Sequence, residues 1–195
     1  GGGIHTWAAG IGAAHFESYV GAIIGTMLMG ISIGYAVPGR LTGVPPFVVL
    51  PLALAAVGIV ASILGKLFVR ITEGGSPRAA LNKGSLGEGA LAIVGFWFVI
   101  AHGVPATFTM TDFLGRTQDY ASWQVFVAAV AGLVAGAAIG LVTEYYTSSA
   151  RAPARKIAEA SLTGAATNII EGLSVGMAST AVPVILVVIA MLVSY

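Results

Sequence analysis

The stretch HFESYVGAIIG, residues 15–25, sets a carboxylate, Glu17, inside a segment that otherwise has the composition of a membrane helix. An ionised side chain facing lipid costs a few kcal/mol at least, so Glu17 is expected to face the interior of a helix bundle. There it would bind a transported cation or relay a proton. The alternative is an interfacial Glu near a helix end that snorkels to the headgroups. His15, two residues earlier, is either a pH-sensitive partner of the carboxylate or a local hydrogen-bonder. Gly21 and Gly25 follow Glu17 on the same helical face, where their size lets a second helix come close. Protein is therefore expected around Glu17, with a polar neighbour in reach or a cavity for helices outside this chain.

Other polar groups carry less. Glu171 follows Asn168 by about one turn and reads equally as an exposed or an interior acid. Glu144 precedes the pair Tyr145 and Tyr146, which suit a membrane–water interface. Glu88 reads as a first-turn acid at a helix start, and His102 as a local hydrogen-bonder near Pro105. Asp112 and Asp119 fall in a short connection and are expected to be solvated. No P-loop, HExxH or GxSxG spacing occurs.

The elements that would position these groups follow from composition. Of 195 residues 57% are hydrophobic and 9% charged, against about a quarter charged in soluble domains. With 27 glycines as well, the chain reads as an all-α membrane protein. A net charge of +1 gives no sign of nucleic acid as a partner, and without cysteine neither disulfide nor thiolate chemistry is open to it. The sequence has no signal-peptide pattern and no initiator Met, which suits a fragment. A helix needs about 20 apolar residues to cross the hydrocarbon, and five segments qualify: 8–37, 45–69, 87–108, 122–146 and 162–195. Together they form a single membrane domain over 1–195. Repeated glycines, Gly132, Gly136 and Gly140 in the fourth span and Gly164, Gly172 and Gly176 in the fifth, are expected to make close helix contacts.

Orientation follows from the basic residues. Lys66, Arg70, Arg78 and Lys83 flank or fill the second connection, and Arg151, Arg155 and Lys156 the fourth; only Arg40 and Arg116 stand in the other two. The second and fourth connections are thus expected on the cytoplasmic side, with the N-terminus.

TEYYTSSARAPARKIAEASLTGAATNIIEGLSVGMASTAVPV (143–184), AAGIGAAHFESYVGAII (8–24) and GVPATFTMTDFLG (103–115) resemble the membrane-bound ion-translocating pyrophosphatases over nearly the whole chain. The resemblance implies helices six to ten of a sixteen-helix fold that works as a homodimer in a bacterial or archaeal inner membrane. It implies Mg2+-dependent hydrolysis of pyrophosphate at the cytoplasmic face, coupled to outward movement of H+ or Na+, with K+ a further candidate cofactor. It places Glu17 at the gate glutamate of the subgroup that reads FESY, and Ser18 beside it in the sodium site. Trp7 and Ala14 stand where the family carries metal-binding aspartates, and His15 where it carries leucine. The first acidic pyrophosphate motif would precede residue 1 and the second would follow residue 195, so the chain alone is expected to be catalytically inactive. The ion and the K+ dependence are set on helices outside these five. Two other readings stay open: a degenerate, non-catalytic membrane module, and an unrelated secondary transporter with a midplane carboxylate.

The charge bias yields a direct check. Single cysteines at Ser76 and Thr117 are expected to react with an impermeant thiol reagent from opposite sides of the membrane; labelling of both from one side contradicts the topology.

Overall fold

The computed structural model describes residues 2–36, 46–69, 77–111 and 116–194. The order is α1 (Gly2–Ala36), α2 (Pro46–Gly65) with a 3-10 turn at Lys66–Phe68, α3 (Pro77–Gly103), β1 (Thr107–Thr111), β2 (Thr117–Ala121), α4 (Ser122–Thr147), α5 (Ala152–Ser161) and α6 (Ala165–Ser194). Four stretches hold helices long and apolar enough to cross a membrane: Pro46–Phe68, Ala80–Gly103, Ser122–Ser161 and Ala165–Ser194. A shorter apolar helical stretch, Phe16–Ile31, lies in α1. The chain is a multi-pass membrane protein. Arg40, Arg70, Ser76 and Asp112 lie outside the described residues, as do the side chains of Trp7, Ala14, His15 and Arg78.

Two compact units divide the chain, Gly1–Phe126 and Val127–Tyr195. In the first, α2 packs against both α1 and α3. Close approach here depends on glycine. A Cβ added at Gly30 would run into the Phe47 backbone, its carbonyl carbon 2.7 Å away. The α2–α3 seam repeats the device in antiparallel register: Gly95 faces Val57, Gly87 faces Phe68, and Gly84 faces Val69. Gly65 faces Glu88, whose Cβ would lie 3.0 Å from an added methyl group. Ala61, Ala80 and Ala92 are among the buried residues, in keeping with helix association through backbone proximity.

The third helix differs from its expected span of 87–108. It starts at Pro77, where proline at a first helical position sacrifices no hydrogen bond, and it stops at Gly103. Glu88 is therefore no first-turn acid; it sits well inside α3 against Gly65. Residues beyond Pro105 form an unexpected antiparallel hairpin, Thr107 paired with Ala121 and Thr111 with Thr117. Thr109 Oγ1 donates to Asp119 Oδ1 at 2.7 Å across a direct strand pair. Asp119 is thus exposed but structurally engaged. Phe108 stacks on Tyr120 with centroids 5.9 Å apart and meets Phe47 at 4.7 Å, tying the hairpin to the start of α2. Gln124 Oε1 then accepts from the Ala121 N–H at 2.7 Å, the return half of a capping box at the start of α4.

In the second unit, the fourth connection contains α5, with Pro153 in its first turn. The expected glycine contacts are not made among the described residues: Gly132, Gly136, Gly140, Gly172 and Gly176 all face open space. Gly164 has a different task. Its φ of +136° breaks the chain between α5 and α6, a conformation that side-chain-bearing residues rarely adopt.

Gly30 and Gly21 provide matched substitutions on one helix. Gly30→Ala is expected to destabilise the chain by about 1–3 kcal/mol through overpacking against Phe47. Gly21→Ala, in open space, is expected to be neutral or to stabilise by up to about 1 kcal/mol through helix propensity. Denaturation in mixed micelles reads both, and shifts of the same sign contradict the α1–α2 packing.

Candidate ion-translocation site

Glu17 lies near the middle of α1 and is exposed, as are Ser18 and Tyr19. The expectation that protein surrounds the carboxylate is not met by the described residues. Helical geometry explains why. Among the described side chains of α1, Val20, Ile23, Met27, Gly30 and Ile33 are buried or half-buried, spaced three and four apart as one stripe. Gly30 on that stripe contacts α2. Glu17, Gly21 and Gly25 form another row, displaced around the helix by well over a quarter turn. Both glycines have nothing within 4 Å of a would-be Cβ among the described residues. Glu17 therefore heads an open face with room for another backbone. Thr26, the next hydroxyl along α1, is engaged with its own helix at the Ala22 and Ile23 carbonyls, 3.0 and 2.9 Å away.

Glu144 is half-buried at the end of α4, beside Tyr145 and Tyr146, whose rings meet edge to face at 5.3 Å. His102 Nδ1 lies 2.8 Å from the Phe98 carbonyl oxygen, which can only accept, so this nitrogen carries the proton. That is the local role its position suggests.

Glu171 is half-buried on α6, one turn after Asn168. Asn168 Oδ1 is buried with no hydrogen-bond partner among the described residues. In the sequence Asn168 shares one helical face with Gly164, Gly172 and Gly176. An amide among glycines on an apolar helix was the signal available. Among the described residues, no group of three or more His, Cys, Asp or Glu could hold a metal ion.

The description "Inorganic H+ pyrophosphatase" belongs to the family model that matches residues 7–195. The chain belongs to that family. It is 41% identical over 187 residues to a Clostridium tetani protein that bears the name of a K(+)-stimulated pyrophosphate-energized sodium pump. That alignment covers 96% of this chain and 24% of the relative. It is 40% identical over 189 residues to the K(+)-insensitive pyrophosphate-energized proton pump 2 of Moorella thermoacetica, covering 96% of this chain and 25% of the relative. A K(+)-insensitive proton pump of Methanosarcina mazei is 36% identical over 187 residues, 96% of this chain and 24% of its own length. The chain thus spans about a quarter of the length of these relatives. Relatives named for sodium and for protons are equally similar, so overall identity does not discriminate the ion.

Two substitutions separate the exposed acid from the engaged one. Glu17→Gln is expected to leave the stability of the isolated chain within about 0.5 kcal/mol. Asp119→Ala, which leaves Thr109 without its acceptor, is expected to lower it by about 1 kcal/mol. Denaturation midpoints check both, and a larger loss at Glu17 contradicts the open face.

Proposed function

We propose that this chain is a single membrane domain of a pyrophosphate-energised pump that moves H+ or Na+ across a bacterial or archaeal inner membrane. In this reading Glu17 is the ion-binding carboxylate and Ser18 its neighbour in the site. The supporting observation is the family match over residues 7–195, with the FESY acid on an open helical face next to Gly21 and Gly25. A carboxylate is suited to the task because it binds a proton covalently and Na+ by charge. The open face would receive helices from the remainder of a relative-length polypeptide. Their approach would take Glu17 out of lipid and aim it at a polar pathway.

Pyrophosphate would be the substrate of the complete enzyme, a homodimer in the lipid bilayer, with Mg2+ as its cofactor and K+ as a further requirement in part of the family. The described residues do not fit a magnesium centre. Hard cations take six or so oxygen ligands, and among the described residues no three His, Cys, Asp or Glu side chains come together. No hydrolytic step is assigned to these residues. A degenerate membrane module is the second reading, and Trp7 and Ala14 at the family's aspartate positions favour it.

The experiment replaces the matching segment of the Moorella thermoacetica pump with residues 7–195. Pyrophosphate hydrolysis and transport of H+ and Na+ into vesicles are followed together. The chimaera is expected to hydrolyse and to transport, and Glu17→Ala to bring transport to background, with Glu144→Ala milder. Normal transport by the Glu17→Ala chimaera refutes the ion-ligand role. An inert chimaera that regains hydrolysis with Trp7→Asp and Ala14→Asp establishes the degenerate module. The 195-residue chain alone is expected to release no phosphate from pyrophosphate above background.

A further inference from the structure

Helix α5 is unlike the other described helices. It carries Arg151 at its N-cap, then Arg155, Lys156 and Glu159, all exposed. Its other side is apolar: Pro153 is buried, and Ala154, Ile157 and Ala160 are half-buried. These four recur at positions that share one helical face, and α5 packs against α6.

Both ends of α5 are tethered to helices long enough to span a bilayer. On one side Arg151 N–H donates to the Ser148 carbonyl at 3.0 Å, and Ser148 N–H to that of Glu144 at 3.0 Å, so the chain turns directly out of α4. On the other side the Thr163 and Thr167 hydroxyls lie 2.7 Å apart, and each reaches the Ala160 carbonyl, at 2.8 and 3.0 Å. This clamp, with the positive φ of Gly164, fixes α5 at the start of α6. In a bilayer crossed by α4 and α6, a helix held so closely to their ends would lie at the level of the lipid headgroups.

The side turned away from α6 combines charge with an apolar group. Arg151 and Arg155 are one turn apart, and Leu162, two turns after Arg155, follows on the same side with 87% of its surface exposed. In water that leucine would be a liability. At a bilayer surface leucine enters the acyl boundary while arginine and lysine reach the phosphates. We propose that α5 is an interfacial helix whose Arg151, Arg155 and Lys156 bind the anionic headgroups of lipids in the membrane that this chain spans. Each basic residue near an anionic surface contributes attraction that salt screens, and the single acid, Glu159, leaves the cluster cationic. The proposal does not rest on the pump reading, because it requires only insertion in a bilayer.

The chain contains no cysteine, so one introduced at Ser149 is unique. The full 195-residue chain carrying a fluorophore there is placed in vesicles of mixed phosphatidylcholine and phosphatidylglycerol. Quenching is compared when either lipid carries brominated acyl chains at the same mole fraction. Stronger quenching by brominated phosphatidylglycerol is expected, by roughly threefold, the ratio for a local enrichment worth about 0.65 kcal/mol. Raised salt and the R151Q/R155Q/K156Q variant are each expected to bring the ratio to one, while excess soluble phosphate at constant ionic strength leaves it in place. Quenching of the chain's tryptophan fluorescence by bromolipid verifies that the variant is inserted. Equal quenching by the two lipids in the unmodified chain overturns the proposal. So does a preference that survives the triple substitution, or one that soluble phosphate abolishes.

Discussion

A carboxylate within a membrane helix must be covered, paired or protonated, and that constraint governs how this chain is read. Glu17 is exposed on α1, and the row it shares with Gly21 and Gly25 points away from the stripe that contacts α2. The packing that does exist in the first unit leaves this row free. Glycine decides which faces of α1 close: Gly30 admits the backbone at Phe47, while Gly21 and Gly25 hold open a space of the same kind. On the proposed function, further helices would occupy that space, and the cost of burying the acid would become the means of selecting an ion.

The same economy of volume runs through the α2–α3 seam. Four glycines face Val57, Phe68, Val69 and Glu88, and Ala61 in α2 and Ala92 in α3 are buried. Large apolar residues such as Leu28, Trp97 and Ile185 lie on the outside, where lipid or further helices meet them. Proline inside α2 and α6, at Pro51 and Pro183, removes a backbone hydrogen bond that membrane helices recover through neighbours and local adjustment. The hairpin after α3 is held by a different principle, a strand pair closed by Thr109–Asp119 and by the Phe47, Phe108 and Tyr120 rings.

Apolar length made the long helices legible, and the FESY stretch with residues 143–184 made the family legible. Glycine spacing was a poorer guide. Gly132, Gly136 and Gly140 repeat regularly yet face open space, whereas Gly84, Gly87 and Gly95 repeat less regularly and form a seam. A glycine row states that a helix can be approached and does not name the partner. The start of α3 at Pro77 was hidden because its first turns are polar and continue the helix beyond the apolar run. The hairpin was hidden because its strands are short and rich in threonine, although the alternation in TFTMT carries a strand signal. Burial of Glu17 could not be read from the chain, because its remaining neighbours are not supplied by α2 or α3.

The most direct measurement is the lipid exposure of position 17 in two settings. The Glu17→Cys variant carries a spin label on the introduced thiol, and electron paramagnetic resonance reads its collisions with oxygen dissolved in the bilayer. The comparison is between the 195-residue chain and the Moorella thermoacetica pump carrying residues 7–195, with its own cysteines removed. High accessibility in the chain and strong protection in the pump is the expected result. Equal lipid exposure in both would contradict a covered, ion-binding Glu17.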